Sequence, residues 1–204
     1  AGLAHGGEIQ CLSDVEVAST WGGGTSQLSF VGSSDQNFDL PFAATAFEGV
    51  IELNKPSGNV ILQSDLTIED NFAQLSFVKG LLTSSLPGTN VVRFSPGVDT
   101  GWSGGNNDSY IAGPVEKQGT GNIFIPTGDN GVFAPCGIAD NNPTNTFVLE
   151  YHNESPQGAG YGNIFGAGLD HVSSCEYWTI DYLAGAAAAR AILSYDTNRC
   201  GPID

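Results

Sequence analysis

The feature that most constrains this chain is a run of short segments that alternate apolar and polar residues and end at glycine, asparagine or aspartate. QLSFV at 27–31, GVIEL at 49–53, NVILQ at 59–63, DLTIE at 65–69, QLSFV again at 74–78 and VVRF at 91–94 all show it. A period of two puts alternate side chains on one face, so each segment reads as a strand with one buried side. SQLSFVGSS and AQLSFVKGL share the QLSFV core 47 positions apart. Strands this short, recurring between tight turns, can stack as the coils of a solenoid, each coil burying its neighbour. An antiparallel sandwich accounts for the same spacing. Both readings make the chain all-β.

The second half is punctuated differently. From Ser103 to Ile138, glycine and proline separate the apolar pieces YIAGPV, NIFIP and VFAP. These read as edge strands and turns, where proline is tolerated. NTFVLEYH at 145–152 follows, then a glycine-rich loop at 157–168. HVSSCEYWTIDYL and AARAILSYD read as a strand pair, with Ala184–Ala191 as a connection between its arms. The expected organisation is a short-strand β ladder over 1–100 and a β-sandwich-like module over 101–204, with room for both to pack as one unit. At 204 residues the chain is long enough for a real core.

Twenty-two acidic residues face six basic ones, a net charge of −16. No basic footprint for nucleic acid exists, and anionic membranes would be repelled. The longest apolar stretch is far too short to span a bilayer. Acidic surfaces keep secreted proteins soluble, and clustered Asp and Asn oxygens also suit Ca²⁺. The candidate ligands are Asp99 and Asp108 in the loop at 99–108, and Asp129 and Asp140 in the loop at 129–142, where glycines let the backbone fold around an ion.

Cys11, Cys136, Cys175 and Cys200 are widely spaced, with no CxxC and no histidine at ligand spacing. Two disulfides in an oxidising compartment are expected rather than zinc. Cys175 and Cys200 bracket two adjacent strand candidates, which favours that pair and leaves Cys11 for Cys136. The chain contains no methionine and starts at Ala1. It reads as a mature or excised chain whose targeting segments have been removed.

Motifs that carry chemistry elsewhere lack their context here. Val98-Asp99-Thr100-Gly101 matches an aspartic-protease triplet, but that chemistry needs two facing carboxylates, and Asp196-Thr197 is followed by Asn198. Gly101-Trp102-Ser103-Gly104-Gly105 matches G-x-S-x-G, with Asp170-His171 downstream. A nucleophile elbow requires a helix after the serine, and GGNNDSYIAGP cannot form one. Lys55, Lys79 and Arg93 recur at no fixed interval, unlike the basic row of a lyase groove, and pairing with neighbouring acids is expected. His5, His152 and His171 are scattered. No catalytic residue is expected. Trp178, within a clear strand, is assigned to the core, whereas Trp102 and Tyr110, in or beside a Gly/Asn loop, are the candidate exposed ligand contacts.

Three motifs, in order, resemble a known class. AQLSFVKGLLTS, then SYIAGPVEKQGTGNIFIPTGDNGVFAP, then CEYWTIDYLAGAAAARAILSYD are similar to regions of large Bacteroidetes surface proteins of the type IX secretion and gliding-adhesin class. The likeness covers roughly Gln27 to Ser194. Within these 204 residues no stretch resembles the C-terminal sorting domain of that class, and Tyr182 stands where a basic residue is usual. The resemblance implies a cell-surface location and a structural or adhesive role, and carries over no catalytic residues. The expected function is therefore a non-enzymatic extracellular protein, either a self-assembling filament or sheath subunit or a segment of a large adhesin. Its expected partners are further copies or neighbouring repeats, with glycans as further ligands. The alternative is a carbohydrate- or Ca²⁺-binding accessory module of a secreted hydrolase.

Overall fold

The computed structural model describes residues 7–17, 26–40, 49–69, 74–84, 90–162, 173–185 and 188–200. The first part is a parallel β-solenoid of about four turns. Its strands follow the chain in order: β1 (Glu8–Cys11) and β2 (Val15–Glu16), then β3 (Gln27–Phe30) and β4 (Gln36–Asp39). Next come β5 (Val50–Asn54), β6 (Val60–Leu62) and β7 (Leu66–Ile68), followed by β8 (Leu75–Lys79), β9 (Leu82–Thr83) and β10 (Val92–Phe94). β11 (Trp102–Gly104), β12 (Ile111–Ala112) and β13 (Val115–Gln118) complete the stack.

Parallel pairing turns the sequence alternation into columns. Ile9, Leu28, Ile51, Leu75 and Trp102 fall in one register, and Cys11, Phe30, Leu53, Phe77 and Gly104 in the next. Both QLSFV copies therefore lie on the same sheet, β3 and β8, two turns apart with β5 between them. A second sheet stacks Val60, Leu82, Ile111 and Thr127, and a third stacks Leu66, Val92 and Val115. These columns meet in one buried apolar core, and neighbouring strands about 4.8 Å apart keep like side chains in contact.

Carboxylates and amides bond the turns together. Asp14 Oδ1 accepts from Asn37 N at 2.8 Å, Asp35 Oδ1 from Asn59 N at 2.8 Å and Asp65 Oδ1 from Val91 N at 3.1 Å, each acceptor one turn below its donor. Arg93 lies between Asp65 (3.0 Å) and Glu116 (3.0 Å), spanning three turns. Part of the acidic excess thus serves amides and an arginine within the stack.

Three sheets cross position 100 without a break, since β11 pairs with β8, β12 with β9 and β13 with β10. The expected boundary near 100 is therefore not a break in the ladder. β15 (Thr127–Asp129) adds one more parallel strand, to β12, and antiparallel pairing enters with β14 (Ile123–Ile125), β16 (Val132–Phe133), β17 (Cys136–Ala139), β18 (Thr146–His152), β19 (Tyr177–Ala184) and β20 (Arg190–Leu193), the described chain ending in α1 (Thr197–Cys200). β18 adds antiparallel to β13, and β19 to β18. The expected strand pair of β19 with β20 does not form, because β20 pairs with β17 instead. Alternation fixed the buried face of each strand but not its neighbour. Among the described residues no helix is long and apolar enough to cross a membrane.

Candidate interaction surface

Two lysines are fully buried in the solenoid. Lys55 Nζ donates to the carbonyls of Gly32 and Ser34, both at 3.0 Å, and to Gln36 Oε1; Gln36 Nε2 in turn donates to Ser13 O at 2.6 Å. Lys117 stands in register with Phe94 and Phe147, and its Nζ donates to Ser95 O, Gln118 O and Thr120 O at 2.8, 2.8 and 2.7 Å. Burial pushes the Lys117 ammonium down to about 8, partly offset by Asp99. These are cations bonded to turn carbonyls. Arg93 pairs with acids as expected, and Lys79 is exposed.

The sequence-level candidates are dispersed. Asp99 faces Lys117. Asp108 lines a corner groove of about 250 Å³ with Lys55, Lys79, Asn107 and Tyr110. Asp129, on β15, accepts from Asn153 N at 3.0 Å and Asn130 Nδ2 at 3.1 Å, and Asp140 pairs with Arg190 at 3.2 Å. Among the described residues no group of three or more His, Cys, Asp or Glu side chains could hold a metal ion. Ser103 sits in β11, paired in parallel with Ser76, so the G-x-S-x-G stretch is ladder and not an elbow. Gly104 has φ 79°, and a Cβ there would lie 2.2 Å from Phe77 O, so the ladder itself demands this glycine.

The two aromatic contact candidates are corrected. Tyr110 is buried, with its hydroxyl accepting from Gly131 N at 2.8 Å. Trp102 is half-buried; its Nε1 donates to Phe124 O at 2.6 Å and its ring meets Phe133 edge-on at 6.5 Å. Both belong to the wall rather than to a platform. Trp178 packs against the core and against Tyr151 at 5.3 Å, as expected. His5, Asp170 and His171 lie outside the described residues.

Cys175 and Cys200 form the expected disulfide. It joins a buried cluster in which Tyr151 Oη donates to Glu176 Oε2 at 2.7 Å and Arg199 Nη1 pairs with the same oxygen at 3.4 Å. Burial, reinforced by Glu176, holds the Tyr151 hydroxyl well above its ordinary range. The expected Cys11–Cys136 bridge does not form; both are free, buried thiols. Cys11 is in the first turn, whereas Cys136 touches Thr127 at 3.5 Å, five strands from β2 in the second sheet. At about 4.8 Å per strand that separation far exceeds the roughly 7 Å Cα limit of a disulfide. Burial pushes the Cys136 thiol up to about 12.

The open surface lies at the C-terminal margin. Tyr182 and Leu183 on β19 are exposed, with all four residues from Asp181 to Ala184 facing solvent, and in a different sheet Leu193 on β20 is exposed, as is Tyr195 just after it. Beside them on β18 and β19, His152 stacks on Tyr177 at 4.4 Å, and exposed Tyr161 meets Tyr177 edge-on at 5.2 Å. Burial raises the Glu150 carboxyl; His152 opposes this, and Asp129 and Asp181 add to it. Sequence reasoning missed this surface. Its one signal was a long strand without lysine or proline. Comparisons with family models, with curated proteins and with solved structures each returned no match.

Proposed function

We propose that this chain is a non-enzymatic extracellular structural or adhesive protein, a subunit of a surface assembly or a segment of a large surface adhesin. The observation that carries the reading is the stacked parallel ladder, whose interior is filled by side chains. Function then falls to the outer rows and strand margins, the surfaces through which quasi-one-dimensional folds make contacts. The disulfide supports an oxidising compartment, and the three ordered motifs support the surface-protein class. Further copies or neighbouring repeats are the proposed partners. Immunolabelling of intact source cells, with sedimentation of the isolated chain at physiological salt, tests it. Surface labelling and species larger than the monomer are expected; intracellular signal with a strict monomer would overturn it.

A second reading, a glycan-binding module, is favoured by one feature. The exposed Tyr161 ring, next to Tyr177 and the Glu154 carboxylate that accepts from Tyr177 Oη at 3.2 Å, offers both stacking and hydrogen bonding to a sugar. Binding to a glycan array that is lost in Tyr161→Ala would favour this reading over assembly.

A further inference from the structure

We infer that the outer margin of β19 is a docking edge for an extended, basic segment of a partner polypeptide. β19 is eight residues long and lies at the end of its sheet, with β18 on one side and no strand on the other among the described residues. Its sequence, YWTIDYLA, has strong β propensity and none of the proline or lysine that blunts an exposed edge. A margin of this kind presents a row of backbone donors and acceptors that an added strand can satisfy.

Charge selects the occupant. Tyr177, Thr179 and Asp181 share one face of the strand, Glu150 is paired with Thr179 on that face, and exposed Leu183 is the extra residue where the register shifts. Asp181 and Asp129 both act on Glu150, which His152 approaches at 3.9 Å, and β18 and β19 contribute no lysine or arginine. A second copy paired through β19 would bring two such carboxylate sets together in a chain of net charge −16. A strand with lysine or arginine on one face would instead meet Asp181 and Glu150. Its other face, if apolar, would continue the row of Ile180 and half-exposed Tyr182, whose ring packs on Phe147 at 5.4 Å.

The inference deepens the adhesive reading and rests on it for its setting, but its test is separate from the assembly test. A dye-labelled decapeptide alternating lysine and valine, and its glutamate–valine counterpart, are titrated against the intact chain by fluorescence anisotropy. Amide exchange is followed in parallel. The lysine peptide is expected to bind and to slow exchange at Asp181–Ala184, with the glutamate peptide at least about tenfold weaker, a difference of about 1.4 kcal/mol. Asp181→Lys and Leu183→Lys, both at exposed positions, are each expected to weaken binding by a similar factor while the unfolding temperature holds. Equal binding of the two peptides, affinity unchanged in both variants, or protection outside β19 would overturn the proposal. So would self-association abolished by Leu183→Lys without peptide binding, which would place a second copy on this edge.

Discussion

In the stacked turns a buried position recurs in the same column, so Leu28 and Ile51 each meet a like neighbour above and below. In the C-terminal hairpins each strand meets a partner of unrelated sequence, and a disulfide and a buried Tyr151–Glu176–Arg199 cluster tie the ends. The ladder is held by packing repeated along its axis. The C-terminal part is held at a few points and leaves its last strands open. The contrast separates the part that carries stability from the part that has surface to offer.

Four variants break or sharpen the contrast, from the largest effect down. Phe77→Ala empties a fully buried place in a column and is expected to cost about 4 kcal/mol in denaturant unfolding. The Cys175→Ser, Cys200→Ser pair opens a cross-link spanning 25 residues, an expected loss of about 3 kcal/mol on the chain-entropy account. That loss is expected to appear as faster exchange in β18–β20 while β3, β5 and β8 keep their protection.

Lys117 gives a pH signature. Its ammonium is pushed from the ordinary 10.5 down to about 8, so the folded chain releases this proton before the unfolded chain does. Stability is then expected to rise with pH from about 8 to 10.5, by at most about 3 kcal/mol, and to gain nothing from this group below pH 8. The difference between the native chain and Lys117→Met, followed across that window, should show the rise. A flat difference contradicts it. Glu150 is the smallest case. Its carboxyl is raised, so ionising it costs the folded state stability as pH rises through the carboxylate range. With its side chain 31% exposed, Glu150→Gln is expected to stabilise the chain at neutral pH by several tenths of a kcal/mol, and the gain should vanish in acid.

Much of the ladder was legible in the sequence. Alternation placed β3, β5, β6, β7, β8 and β10, and the repeated QLSFV was two copies of one column position. The Cys175–Cys200 bridge followed from flanking strands. What the residues did not reveal is pairing at long range: period two sets which side is buried, not which strand lies alongside, so β19 was matched to β20 rather than β18. Lys55 was expected to pair with a neighbouring acid, because nothing local marks a lysine whose carbonyl acceptors, Gly32 and Ser34, come from a turn below. Tyr110 and Trp102 were read as exposed because the Gly/Asn loop around them is ladder wall. The margin of β19 escaped notice for the same reason, since an edge is defined by a missing neighbour.

Native-state hydrogen exchange tests the central claim most directly, because it reads both regions in one experiment. The account predicts the slowest amides in β5 and β8, with Asp181–Ala184 exchanging at least about a hundredfold faster in the free chain. Uniform protection throughout, or faster exchange in β5 and β8 than in β19, would contradict it.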